Sequence, residues 1–286
     1  MGGASTVAGR RVLITGAARG IGAALAKRLH ERGAHVAVAG LEPDLLETVA
    51  ADVDGPWSEC DVSDREQVDA AVAQTVRELG GLDVVVANAG IAKQLPIDGG
   101  DPTVMERTLQ VNTLGVYYTL RAAAPHISHR EGYALATSSL AAGVNLPLLG
   151  AYSASKAAVE AIGNTFRCEV RPTGAKVGVA YFAELDTDMT TRGFGTESAS
   201  TLLGGGGTIS GVAPLGPAID ALERGIARRS RRICSPGWVR AVLPAREIAQ
   251  RVVELKPLPH LREALELAQR EDVDFTTVQP QRRELR

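Results

Sequence analysis

The sequence predicts an α/β fold: a single doubly wound domain with a parallel sheet and helices on both faces. Three observations predict it. Short runs of continuous apolar residues recur up to Ala180, and strands that are apolar throughout are covered on both faces, as in a parallel sheet. Segments of helical periodicity separate these runs, and a repeated strand–helix order implies βαβ units. The first strand runs directly into a glycine-rich turn and then a helix.

The elements follow in order. Val12-Leu13-Ile14 reads as a buried strand, and the stretch 21–29 repeats at helical spacing until Gly33 stops it. Residues 35–39 form a second short strand, and Pro43 sits at the first turn of the next helix. A helix over 65–79 precedes a strand at 84–87, a long helical region over 104–127 precedes a strand at 134–137, and a helix over 153–171 precedes a strand at 177–180. The pattern then loosens. Residues 190–211 are rich in Gly, Thr and Ser and read as a mobile lid. A helix over 214–228 follows, and the basic run 228–232 reads as its solvated end. The tail from Pro244 reads as two helices broken near Pro257 and Pro259. The expected organisation is a main α/β domain over 1–243, carrying the lid, with 244–286 as a helical extension of the same domain.

Composition narrows the partners. Net charge is -2, so no global basic field draws in nucleic acid. No apolar run reaches the roughly 18 residues of a membrane span, and the first nine residues lack the apolar core of a signal peptide. Cys60, Cys168 and Cys234 are far apart and lack metal-ligand spacing, which reads as reduced packing residues in a cytoplasmic protein. The five histidines show no paired spacing, so no metal is expected. Small molecules remain as the expected ligands.

The segment from Thr15 to Gly22 joins the first strand to the first helix. Gly16 permits the tight turn, Gly20 lets backbone approach a pyrophosphate, and Gly22 lets the helix pack on the sheet. The N–H groups and dipole at the helix start, from Gly20 and Ile21, favour phosphate charge. The spacing is G-x-x-x-G-x-G with a Thr in front. Further motifs follow in order: Asp61-Val62 after the third strand, Asn88-Ala89-Gly90 after the fourth, Asn112, the pair Ser138-Ser139, Tyr152-Ser153-Ala154-Ser155-Lys156, and Thr187-Asp188-Met189 after the sixth. Together these span roughly residues 10 to 190 and resemble the classical short-chain dehydrogenase/reductase family.

That resemblance implies a Rossmann-like fold and an NAD(P)-dependent oxidoreductase interconverting a secondary alcohol and a ketone or aldehyde. It implies catalytic roles for Asn112, Ser139, Tyr152 and Lys156. It implies cofactor contacts at Gly16, Arg19, Gly20, Ile21, Gly22, Gly40, Leu41, Asp61, Val62, Asn88, Ala89, Gly90, Tyr152, Lys156, Leu185 and Thr187. Gly40-Leu41 stands where NAD-preferring relatives carry an acid, and Arg19 stands where some NADP-preferring relatives hold a basic residue, so NADP(H) is expected to be slightly preferred over NAD(H). Glu42 reaching the ribose would reverse that preference. Family members are commonly dimers or tetramers, so a homo-oligomer is expected.

The chemistry follows from the residue types. Tyrosine has a reference pKa near 10, and a nearby cation lowers it by favouring the phenolate. Tyr152 and Lys156 are four apart on one helical face, so the lysine is expected to lower the phenol and make Tyr152 a general acid in reduction and base in oxidation. Ser139, 13 residues before Tyr152, lies at the carboxyl end of the fifth strand, which borders the ligand crevice; its hydroxyl is expected to polarise the substrate oxygen. By resemblance Lys156 also holds the nicotinamide ribose and Asn112 positions a proton-relaying water. Taken singly, each is bland: a surface Tyr–Lys pair, a helix cap, a turn serine. The family's Pro-Gly after the sixth strand is replaced by Phe182-Ala183, which puts the turn over the nicotinamide in question, and Glu184 follows. The stretch 146–149 is expected to wall an apolar pocket. Two rival readings remain: a non-catalytic NAD(P)-binding redox sensor, and an enoyl reductase or epimerase-like relative.

Overall fold

The computed structural model describes residues 6–190, 196–205, 211–271, 275 and 279. Seven strands form one parallel sheet in the order β3-β2-β1-β4-β5-β6-β7. They are β1 (Arg11–Thr15), β2 (His35–Gly40), β3 (Trp57–Glu59), β4 (Val84–Ala87), β5 (Tyr133–Thr137), β6 (Lys176–Phe182) and β7 (Arg232–Ser235). The chain steps outward from β1 to β3, returns beside β1 as β4, and steps outward again to β7. The strand order therefore reverses between β1 and β4, where a ligand crevice opens beyond the carboxyl ends.

The continuous apolar runs are explained by the two layers. Val12 and Ile14 face one core with Leu25 and Leu29 of α1 (Gly20–Glu31), Leu46 of α2 (Pro43–Val53) and Leu222 and Ile226 of α8 (Leu215–Ala227). Leu13 and Val85 face the opposite core with Val68 and Val72 of α3 (Arg65–Leu79) and Leu120 and Ala123 of α5 (Gly115–Ile127). Successive strand residues point to opposite faces, so both must be apolar. α6 (Gly150–Glu169) closes this second face at Gly163, where a Cβ would come within 2.6 Å of Val179.

Several boundaries differ from the sequence reading. The helical region expected over 104–127 is three pieces: α4 (Pro102–Leu109), a wide π turn over Gln110–Leu114, and α5. The helix expected over 153–171 begins a turn earlier and is completed by a 3₁₀ turn. The basic run 228–232 is only partly a helix end. α8 stops at Ala227, and Arg232 opens β7, a strand the sequence reading missed. Of the expected lid, residues 191–195 and 206–210 lie outside the described residues; α7 (Glu197–Leu202) stands between them. Beyond β7 come α9 (Val239–Val242), α10 (Arg246–Leu255) and α11 (Leu261–Ala268), with Pro257 and Pro259 between the last two.

Candidate active site

The glycine turn is built by close approach. Gly16 has φ +64°, and a Cβ there would lie 2.5 Å from Ala89 Cα. A Cβ on Gly22 would lie 2.3 Å from the Gly16 carbonyl oxygen. Gly20 differs. With φ +56° it is also restricted to glycine-like backbone, but a Cβ would meet nothing nearer than Thr187 at 3.9 Å, so the turn opens there onto the crevice and faces the T-D-M segment. Asn88 ties the loop after β4 to this turn: its Nδ2 donates to the carbonyls of Thr15 and Gly16, each at 3.1 Å, and its backbone N–H donates to Thr15 Oγ1 at 3.1 Å.

The start of α1 differs from those of α3 and α4. Asp64 caps α3 and Asp101 caps α4, whereas no side chain caps α1 and its first turn holds no acid. Leading backbone N–H groups left without a side-chain cap suit an anion. These features fit a dinucleotide's pyrophosphate.

A cavity of about 540 Å³ runs along the carboxyl edge of the sheet. Following the strand order, Asp61 and Val62 line it beyond β3, Gly40 and Leu41 beyond β2, and Gly16, Arg19, Gly20 and Ile21 beyond β1. Asn88, Ala89 and Gly90 line it beyond β4, Ser139, Tyr152 and Lys156 beyond β5, and Leu185 and Thr187 beyond β6. Gly22 lies under the turn, and Asn112 is fully buried; neither is part of the wall.

Ser139, Tyr152 and Lys156 converge. The Ser139 hydroxyl is hydrogen-bonded to the Tyr152 phenol, accepts from the Ala141 N–H at 3.2 Å, and reaches the Phe182 carbonyl at 3.2 Å. Ser138 points elsewhere: its hydroxyl donates to the Lys156 carbonyl at 2.8 Å. Lys156 Nζ donates to the Thr137 carbonyl at 2.9 Å and lies 5.5 Å from the centre of the Tyr152 ring. A Cβ on Gly90 would come within 3.4 Å of that Nζ, so this glycine leaves the ammonium open to the crevice.

The expected lowering of Tyr152 by Lys156 is corrected by the structure. Burial pushes the phenol up to about 12, and the pull in the other direction comes from the Ser139 hydrogen bond. Lys156 is itself buried, which brings its ammonium down to about 8, and its Nζ is held at the Thr137 carbonyl. A prediction follows. In the unfolded chain the amine keeps its proton up to its reference value of 10.5, so between about pH 8 and 10.5 the unfolded chain binds the extra proton. The buried ammonium therefore costs stability fully below pH 8, and the cost fades as pH rises towards 10.5. Lys156→Met should be more stable than the parent at pH 7, by up to about 3 kcal/mol, with the gap closing towards pH 10 in urea unfolding.

Asn112 is committed to architecture. Its Oδ1 accepts from the Ile91 N–H at 2.8 Å, and its Nδ2 donates to the Ile91 carbonyl at 2.9 Å and to Ser155 Oγ at 3.0 Å. It pins the π turn to the loop after β4 and to α6. Both of its Nδ2 hydrogens are thereby used and its Oδ1 already accepts from Ile91, so the carboxamide is held in place by the fold.

The Phe182-Ala183 substitution leaves the strand end regular. Phe182 pairs with Ser235 in the sheet, and the Ala183 N–H donates to the Ser235 carbonyl at 3.1 Å. Ala183 is not among the residues of positive φ, so the turn does not require glycine here.

Sequence reasoning missed three groups. Arg19 is not alone at the turn: its Nε donates to Glu42 at 3.0 Å, it makes a second, closer contact with Glu42, and its NH1 donates to Asp188 at 3.0 Å. Arg246 of α10 grips buried Glu160 of α6 through two hydrogen bonds of 2.9 and 3.0 Å. Only the helical spacing of Glu160, one turn beyond Lys156, hinted that it shares a helix face with Tyr152 and Lys156. Lastly, α7, α9 and α10 contribute Leu202, Val242, Ala249, Val252 and Val253 to the cavity, which Leu146, Pro147 and Leu149 of the predicted apolar wall also line.

The fold and the crevice define a dinucleotide-binding oxidoreductase. Residues 10–206 match the sequence profile of the short chain dehydrogenase family, and the chain belongs to that family. Among curated relatives, a trans-4-hydroxycyclohexanecarboxylate dehydrogenase of Sinomonas cyclohexanicum is 32% identical over 66% of this chain and 78% of its own. The glycine betaine reductase ATRR of Emericella nidulans is 35% identical over 64% of this chain, which spans 15% of that longer protein. A short chain dehydrogenase/reductase from Burkholderia phymatum, solved in complex with NAD, superposes with a TM-score of 0.76 at 20% identity, over 88% of this chain and 98% of that one; this likeness supports the fold. No described helix is long and apolar enough to cross a membrane.

Proposed function

We propose that this oxidoreductase interconverts an apolar, uncharged secondary alcohol and the corresponding ketone, with Ser139, Tyr152 and Lys156 as catalytic residues. The observation that carries the reading is the hydrogen-bonded Ser139–Tyr152 pair at the junction between the glycine turn and an apolar wall. The nicotinamide supplies or accepts hydride when bound. Ser139 orients the substrate oxygen, and Tyr152 gives that oxygen a proton in reduction. Burial keeps the phenol protonated, the form that reduction uses. Lys156 brings positive charge under Gly90, where a ribose hydroxyl would lie. Asn112 acts as a positioning residue. The π turn it anchors loosens the ordinary helical bonding, so a relaying water would meet its main-chain carbonyl.

The helical extension beyond Pro244 belongs to the same domain in this reading, because α10 walls the substrate end and Arg246 fixes it to the catalytic helix. Exposed Met105, Leu114 and Tyr117 on α4 to α5 support a homodimer or homotetramer. The free cysteines support a cytoplasmic setting.

NADP(H) is proposed to be slightly preferred. Arg19 lines the crevice beside Leu41, and its charge suits a 2′-phosphate; Glu42 on the same guanidinium offsets that charge and keeps the preference small. Glu42→Gln removes a like charge from the phosphate's surroundings. Titration followed by nicotinamide fluorescence should show NADPH binding tightened about five- to tenfold, an interaction of roughly 1 kcal/mol, with NADH little changed. Weaker NADH binding and unchanged NADPH binding would place Glu42 on the ribose and reverse the preference.

The functional reading itself is tested by a panel of bulky cyclic and long-chain ketones offered with NADPH, following loss of absorbance. Reduction of uncharged apolar ketones over charged ones supports it. Binding of cofactor without turnover of any ketone supports the redox-sensor alternative instead.

A further inference from the structure

We propose that Phe275 and Gln279, near the end of the chain, form a clamp over the adenosine end of the cofactor crevice. This rests on the reading that the crevice holds NAD(P). Gln279 lies far in sequence from every motif, yet it lines the same cavity as Cys60, Asp61 and Val62, beyond β3 at the outer end of the sheet.

Its position there is built. The Arg107 guanidinium on α4 makes three separate bonds: NH2 to Asp61 Oδ2 at 3.0 Å, NH1 to Ser63 Oγ at 2.7 Å, and Nε to Gln279 Oε1 at 2.9 Å. Arginine has donors only, so the carboxamide oxygen is the atom that faces it. Asp61 is fixed further by Ser63, whose N–H and hydroxyl both donate to Oδ1, at 2.9 and 2.7 Å. Arg107 thus couples Gln279 to the residue expected to meet the adenine. Four residues earlier, Phe275 packs against the core formed by the second helical layer, with Lys93 Nζ 5.8 Å from its ring centre. An apolar anchor and a charge-assisted hydrogen bond together hold Gln279 at the crevice.

The ligand chemistry follows. With its oxygen on Arg107, the carboxamide offers its N–H donors to a ligand, and the ring nitrogens of adenine are acceptors. The substrate end of the cavity is distant along the sheet, so the clamp acts on the adenosine half alone.

The test compares the unaltered protein, Gln279→Ala and Phe275→Ala, each titrated by fluorescence with NADPH, NADH and reduced nicotinamide mononucleotide, which lacks adenosine. Both variants should bind the two dinucleotides about five- to tenfold more weakly, the scale of one lost hydrogen-bonding contact, while mononucleotide binding is unchanged. Unchanged dinucleotide binding overturns the proposal. Tighter dinucleotide binding overturns it too, and shows that the segment competes with adenosine. Equal weakening of mononucleotide binding means general loosening and also overturns it. Binding of none of the three by the unaltered protein removes the cofactor reading, and the clamp with it.

Discussion

Tyr152→Phe is expected to lower turnover by about 10²- to 10⁴-fold, the usual contribution of a positioned general acid, while leaving cofactor affinity nearly unchanged. The variant removes one oxygen and keeps the ring. Tyr152 is buried beside Ser139, so the ring's packing and the 5.5 Å approach of Lys156 to its face survive. What disappears is the phenol hydroxyl hydrogen-bonded to Ser139, and with it the proposed proton for the substrate oxygen. Ser139 would keep its bonds to Ala141 and Phe182. Steady-state kinetics with an apolar ketone, paired with NADPH titration, reads both halves. Near-normal turnover would remove the acid from the account.

Gly22→Val should abolish dinucleotide binding and lower the melting temperature. A Cβ at this position would stand 2.3 Å from the Gly16 carbonyl oxygen, 2.8 Å from Ala17 Cα and 2.9 Å from Asn88 Nδ2. Two of those atoms are backbone and cannot swing away. Relief requires moving α1 off the turn, which breaks the Asn88 bonds and spoils the cradle at the helix start. Overpacking of this kind costs about 1–3 kcal/mol, so the fold should survive in weakened form. Thermal unfolding and NADPH titration check the two effects. Gly20→Ala is the contrasting change: its Cβ makes only ordinary contact with Thr187 at 3.9 Å, and its cost comes from the positive φ.

The parts of the fold that the sequence made legible are those written locally. Val12 to Ile14 and Val84 to Ala87 are apolar on both faces because helices cover both faces. The proposed catalytic residues were legible through the family's motifs, with Ser139 at a strand end and Tyr152 and Lys156 at helical spacing. β7 was not legible, because Arg-Ile-Cys-Ser has one buried aliphatic residue and follows a basic turn. Only its pairing with β6 makes it a strand. The π turn was masked by the continuous helical periodicity around Asn112. The pairs Arg19–Asp188, Glu160–Arg246 and Arg107–Gln279 are separated by 169, 86 and 172 residues. No periodicity reports contacts of that range. The pKa of Tyr152 was misjudged because spacing reveals a neighbouring cation but not the depth at which both groups are buried.

Hydride transfer to a substrate carbon is the central claim, and isotope transfer tests it most directly. The protein is incubated with NADPH carrying deuterium at both C4 positions of the nicotinamide and with an apolar ketone, and the product alcohol is analysed by mass spectrometry. The account predicts one deuterium on the carbinol carbon, formed by the parent protein and nearly absent with Tyr152→Phe. Cofactor that binds tightly yet delivers no deuterium to any ketone or aldehyde in the panel would contradict it.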